Sequence, residues 1–156
     1  MPGTTQFCTF YLDGILFGIH VQRVQEVIRY QEMTRVPLMP REVRGLINLR
    51  GQIVPALDLR KTLGLDDRRN EEMPMNVVIR SEEGAMSFLV DEIGDVLEVQ
   101  DESFEKPPET LQGVARELVE GVYKLPNRLL LVLDPEKTAS WMTVRQRKEG
   151  VEGESR

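Results

Sequence analysis

The sequence predicts a mostly β fold of two similar units packed together, with short connecting helices and a helix toward the C-terminal end. Three observations predict it. Nine short runs are rich in Val, Ile, Leu and aromatic residues, turn-forming residues separate them, and one segment recurs 76 residues further along.

Taken in order, the strand-like runs are Phe7 to Leu12, Ile15 to Ile19, Leu46 to Leu49, Gln52 to Leu57, Val77 to Arg80, Met86 to Val90, Val96 to Val99, Val119 to Leu125 and Leu129 to Leu133. Asp13-Gly14, Arg50-Gly51, Glu82-Glu83-Gly84 and Pro126-Asn127 fall where antiparallel neighbours must reverse. Helical signals are fewer. Val21, Val24 and Ile28 share one helical face, which predicts a short helix over 21–28, and Pro40 to Val43 reads as a single turn. Asp58 is placed to cap a helix through Leu63, and Asp134-Pro135 repeats that start ahead of a helix running through Trp141. Asp66 to Glu72 reads as a charged linker and Asp101 to Pro108 as a loop.

Laid over itself with a shift of 76, Val43–Leu63 matches Val119–Ala139 without a gap. The identical pairs are Val43/Val119, Gly45/Gly121, Leu49/Leu125, Leu57/Leu133, Asp58/Asp134, Lys61/Lys137 and Thr62/Thr138. Phe17 to Ile28 resembles Phe88 to Val99 more loosely. Residues 1–156 are therefore expected to form one domain with internal units near 7–65 and 75–143, between which strands can be exchanged, followed by a disordered tail over 145–156. Each unit is too small for a secure core of its own, so the two are expected to pack together and to leave a groove between them.

The repeat also separates what the fold needs from what it does not. One hairpin tip reads Leu49-Arg50-Gly51-Gln52 and the other Leu125-Pro126-Asn127-Arg128, which is expected to give the same type II turn, with Gly and Asn holding positive φ. On that reading the turn requires Gly51 but no arginine at position 50, and Arg50 becomes the residue chosen for contact. Asp58, shared with Asp134, reads as a helix cap.

Composition narrows the function. The chain carries a formal net charge of −6 with 29% charged residues, and its arginines and lysines form no stripe, so nucleic acid is not expected as a partner. No apolar run is long enough to span a bilayer and no targeting segment opens the chain, so a cytoplasmic protein without membrane insertion is expected, free-standing from Met1 to its polar tail. A single cysteine, Cys8, and a single histidine, His20, both read as structural and supply neither a metal cage nor a His-dependent triad. The carboxylates Asp91-Glu92, Asp95, Glu98 and Asp101-Glu102 read as solvated faces, and no phosphate loop is present. A non-enzymatic interaction module without cofactor or metal is the expectation.

The segment Val43–Arg60, with Asn48-Leu49-Arg50-Gly51, Pro55 and Asp58-Leu59, resembles the signature of the CheW family of bacterial chemotaxis adaptors. Tyr11 to His20, Val24-Gln25-Glu26-Val27 and Val90 to Leu97 are similar to it as well. The resemblance implies two five-stranded barrels of SH3-like type around a shared apolar seam. It implies a scaffold that couples the regulatory domain of a CheA-type histidine kinase to the cytoplasmic tip of a chemoreceptor and is recruited from the cytoplasm to membrane-bound receptor arrays. An adaptor for a non-flagellar pathway such as gliding, biofilm control or gene regulation is the alternative. Carried over position by position, the interaction residues are Val24, Glu26, Gly45, Arg50, Gly51, Val77, Ile93 and Val96, with Glu26 and Arg50 expected to pair.

Overall fold

The computed structural model describes residues 3–69 and 72–140. Its strands are β1 (Thr4–Leu12), β2 (Ile15–His20), β3 (Val24–Ile28), β4 (Val43–Leu49), β5 (Gln52–Asp58), β6 (Met75–Ser81), β7 (Gly84–Val90), β8 (Glu92–Gln100), β9 (Phe104–Glu105), β10 (Val119–Leu125) and β11 (Arg128–Leu133). Two short helices, α1 (Leu59–Thr62) and α2 (Val114–Leu118), precede a third segment of helix at residues 135–140.

The strands form two sheets, one of six in the order β8-β1-β2-β11-β10-β9 and one of five in the order β3-β6-β7-β5-β4. Residues 24–90 supply the five-stranded sheet, and the two ends of the chain supply the other. The units expected at 7–65 and 75–143 thus each contribute strands to both sheets. Short connections explain this. Only Val21–Arg23 lie between β2 and β3, and only Asp91 between β7 and β8. For β3 to flank β1 it would have to run parallel to β2 one strand away, and such a crossover takes a dozen or more residues. β3 therefore pairs with β6, and β8 with β1.

Each sheet's edges are brought together by a short bridge, where a closed five-stranded barrel was expected. In the five-stranded sheet the chain beyond β3 returns to β4 through the pair Thr34–Leu46, with N···O distances of 2.9 and 2.8 Å. In the other, β9 follows β8 and pairs with β10. The repeated glycines lie beneath these bridges. A Cβ at Gly45 would stand 2.7 Å from the Thr34 carbonyl oxygen, and one at Gly121 would run into the ring of Phe104. Both glycines also sit at β-bulges, where the registers of β4 with β5 and of β10 with β11 shift.

Hydrogen bonding repeats with the same shift of 76. The amides of Asp58 and Asp134 donate to the carbonyls of Glu42 and Leu118 at 2.7 and 2.9 Å. The Asp58 carboxylate accepts from the Arg60 amide, and the Asp134 carboxylate from those of Glu136 and Lys137. Thr62 and Thr138 each bond back to the carbonyl of their capping aspartate at 3.0 and 2.8 Å. Both helices start on the side-chain cap that the sequence predicts.

Phe10, Phe17, Leu57, Phe88 and Leu133 belong to the largest apolar cluster, which draws on both sheets. A smaller cluster fills each sheet's own curl, with Phe7, Leu16 and Leu130 in one and Ile47, Val54 and Leu89 in the other.

Three local expectations are corrected. Residues 21–28 are not a helix but a 3-10 turn followed by β3. The extra residue of a bulge between Val24 and Glu26 spaces the apolar positions as a helix would, and pairing with β6 decides the outcome. The two hairpin tips are not the same turn. Arg50 and Gly51 both have positive φ, +53° and +87°, which is the mirror-image hairpin turn and not type II, and Asn127 is not in the left-handed region. Helix α2 and strand β9 were not foreseen. Trp141 and the tail over 145–156 lie outside the described residues.

Candidate functional site

The Arg50-Gly51 tip comes together with β3 across the seam that joins the edges of the five-stranded sheet. Arg50 extends from the β4–β5 tip and its Nη2 donates to both carboxylate oxygens of Glu26 on β3, at 2.6 and 2.7 Å. The expected pair is therefore formed. Its partners differ in setting: the Glu26 side chain is 19% exposed and that of Arg50 is 72% exposed. Asn48 fixes the turn by accepting the Gly51 amide on its Oδ1 at 2.9 Å. A side chain in the left-handed region costs about 1–2 kcal/mol relative to ordinary backbone. An exposed ion pair returns about 0–1 kcal/mol. Stability alone does not account for arginine here.

The remaining predicted residues take distinct places. Val24, on β3 opposite Ile79, is half-buried against the core. Gly45 is buried under the Thr34 bridge, where its role in closing the sheet is explained without any partner. Val77, 1% exposed, lies on β6 opposite Val27 and supports β3 from within the core. Ile93 and Val96 are on β8 of the other sheet, Ile93 half-buried against the core and Val96 exposed opposite Cys8. Six of the eight thus lie on the five-stranded sheet and two do not.

Two exposed apolar residues near the tip were missed: Ile53 on β5, opposite Asn48, and Val27 on β3, whose side chain lies on the other face of the strand from Glu26. Alternation could have found Ile53, since its neighbour Val54 is fully buried. A polar tip with the exposed Ile53 side chain nearby is a surface suited to contact.

One acidic residue is not the solvated group expected. Asp91, in the one-residue crossover from β7 to β8, accepts from Arg60 Nε at 2.8 Å, Arg60 Nη2 at 2.5 Å, Arg68 Nε at 3.0 Å and the Asp13 amide at 2.7 Å. Its side chain is only 14% exposed, and that of Arg68 4%. Burial alone would push the Asp91 carboxyl up, but the hydrogen bonds from Arg60, the Asp13 amide and Arg68 outweigh it and hold the carboxyl below its ordinary range. The Arg60 guanidinium is pushed up, chiefly by its hydrogen bond to Asp91. Asp91 thereby ties together the β1–β2 tip, α1 and the start of the segment after it.

Cys8 sits on β1, half-buried, and burial pushes its thiol up, away from the reactive thiolate. His20, at the end of β2, packs against Phe7 with the two rings tilted and lies 3.5 Å from Glu120. Among the described residues no group of three or more His, Cys, Asp or Glu side chains is arranged to hold a metal ion, and no helix is long and apolar enough to cross a membrane. A depression at the other tip is lined by Leu97, Val99, Leu125 and Pro126 together with Glu98 and Arg128.

Comparison with known proteins places this architecture. The CheW-like domain family matches residues 6–142. The chain is 30% identical over 139 residues to chemotaxis protein CheW of Treponema pallidum, covering 86% of this chain and 82% of that protein. It is 33% identical over 125 residues to chemotaxis protein CheW of Bacillus subtilis, covering 80% of each. The crystal structure of scaffolding protein TtCheW from Thermoanaerobacter tengcongensis is similar with a TM-score of 0.77 at 26% identity, covering 86% of this chain and 91% of that one. With its two interlocked sheets, its paired glycine bridges and this match along most of its length, the chain belongs to the CheW-like domain family.

Proposed function

We propose that the protein is a non-enzymatic chemotaxis scaffold that couples a CheA-type histidine kinase, through its regulatory domain, to the cytoplasmic tip of a chemoreceptor at the membrane-bound array. The observation that carries this reading is Arg50. It is exposed, it stands in a backbone conformation that arginine rarely adopts, and it is held on Glu26, with Ile53 exposed nearby on β5. Such an arrangement presents a fixed guanidinium with an exposed aliphatic neighbour, which suits the apolar face and charged margin of a helix laid against it. The names of the relatives supply the pathway, since they are chemotaxis proteins and one is called a scaffolding protein.

In this reading Val24, Glu26, Arg50 and Gly51 form the receptor-facing surface. Gly45 and Val77 maintain its shape from beneath, and Ile93 and Val96 on β8 belong to a separate contact. Coupling works through packing: the receptor and the kinase each prefer one of two arrangements of their shared assembly, and the adaptor transmits the preference as a rigid body. A pulldown from a lysate containing receptor and kinase tests the assignment. Arg50→Glu is expected to lose receptor, because it repels Glu26 and reverses the exposed charge. Recovery of both partners at wild-type levels would remove Arg50 from the surface.

A further inference from the structure

The two crossovers between the sheets carry ion pairs of opposite polarity at equivalent places. At one, Arg60 in α1 meets Asp91 in the β7–β8 crossover, and Asp91 also accepts the Asp13 amide at the β1–β2 tip. At the other, Glu136 in the helix at 135–140 meets Arg23 in the β2–β3 crossover, and Glu136 also accepts the Glu82 amide at the β6–β7 tip, at 3.1 Å. Arg23 Nη2 donates further to the Arg80 carbonyl at 3.1 Å. Arg60 and Glu136 are 76 residues apart, the shift of the repeat, and each is the second residue after its capping aspartate. Asp13 and Glu82 are likewise each the first residue past their strand in a two-residue tip. The same triangle of helix, crossover and hairpin tip is thus built twice, with the charges interchanged.

We infer that this inverted polarity is a placement code that assigns each of the two similar hairpin–helix units, 43–63 and 119–139, to its own sheet. The units share seven identical pairs, the same bulge, the same cap and an exposed aliphatic residue at the same place, Ile53 and Leu129, so backbone pairing distinguishes them poorly. Both are tethered by long connections, residues 29–42 before β4 and 106–118 before β10 with α2 included, and these leave room for exchange. If the units traded sheets, β5 would lie beside β2 and β11 beside β7. Arg60 would then face Arg23, and Glu136 would face Asp91. Each placement error brings two like charges together in a partly enclosed corner, which disfavours the exchanged arrangement by on the order of a hundredfold. The short crossovers decide where β3 and β8 go, and the charges decide where the two hairpins go.

The test keeps the ion pairs and removes the discrimination. In the double variant R23E/E136R opposite charges meet at both corners of the native arrangement, but they also meet in the exchanged one. Refolding from denaturant is followed by nuclear Overhauser effects between strands. The native arrangement gives contacts of Leu16–Gly18 with Leu130–Val132. The exchanged one gives contacts of Leu16–Gly18 with Val54–Ala56. Wild-type protein is expected to give the first set alone, and R23E/E136R both sets, with the exchanged form at roughly a tenth of molecules or more. If R23E/E136R shows no cooperative transition, R23Q/R60Q/D91N/E136Q, which removes all four charges and with them the preference between the two arrangements, is expected to give the same two sets. Refolding of a folded variant to the native set alone overturns the code.

Discussion

Replacing Asp91 with alanine removes the carboxylate that neutralises two enclosed guanidinium groups. The Arg60, Asp91 and Arg68 side chains are 11%, 14% and 4% exposed, so water cannot take over the lost interactions. Breaking a buried pair from one side costs about 3–5 kcal/mol. Two contacts survive and place the loss toward the low end: Arg60 Nη1 still donates to the Asp66 carbonyl at 2.9 Å, and Arg68 still lies 3.9 Å from Asp58. A loss of about 3 kcal/mol at a urea slope near ~2 kcal/mol/M moves the unfolding midpoint down by about 1.5 M. Glu136→Ala is the built-in comparison. It removes the equivalent pair of inverted polarity, whose side chains are 34% and 30% exposed, and is expected to move the midpoint by less than about 0.5 M. Urea titrations followed by far-ultraviolet circular dichroism measure both. Equal shifts in the two variants would refute the claim that enclosure, and not ion pairing as such, makes the Asp91 corner stabilising.

Acid adds an independent check on the same carboxyl. Because its folded pKa is held below the unfolded value of about 3.9, its contribution is present above that value and is lost as pH falls through the folded pKa. Asp91→Asn is therefore expected to flatten the fall in stability below about pH 4, measured as urea midpoint against pH; an unchanged slope would contradict the assignment. Gly45→Ala and Gly121→Ala each force a methyl group onto a bridging segment and are expected to cost about 1–3 kcal/mol. In Gly45→Ala the amides of Thr34 and Leu46 should also exchange hydrogen faster than in the parent. Arg50→Gly relieves the left-handed strain and gives up only an exposed pair, so its stability should equal or slightly exceed the parent's while receptor recovery falls. A marked destabilisation would mean that Arg50 serves the fold.

Much of the architecture was legible because identical residues recur wherever the backbone makes the same demand twice. Gly45 and Gly121 lie under bridges, Asp58 and Asp134 cap helices, and Thr62 and Thr138 bond back to them. Where the demand was not purely local, the pattern misled. Bulges insert a residue into β3 and β8, so Val24 and Ile28 take a helical spacing inside a strand. Pro126-Asn127 and Arg50-Gly51 occupy equivalent tips but turn differently, because only the second has both residues at positive φ. Arg50 stands out from Pro126 at the equivalent tip, although neither tip has the type II geometry expected. The left-handed φ of Arg50 is the stronger reason for the same choice. Asp91 was missed because its partners, Arg60 and Arg68, come 31 and 23 residues earlier, and only the fold brings them together. Glu26 and Arg50 were legible as a pair through the family resemblance. Ile53 adds an exposed aliphatic side chain near their tip, which alternation along β5 could have found.

In the proposed function an exposed contact surface, and no reactive group, does the work. This is tested most directly by reconstituting a CheA-type kinase with a chemoreceptor and measuring kinase autophosphorylation with and without this protein. The receptor is expected to raise the rate only when the protein is present, and Arg50→Glu to abolish the increase while leaving the circular dichroism spectrum unchanged. Receptor-dependent stimulation of equal size without the protein, or with the variant, would contradict it.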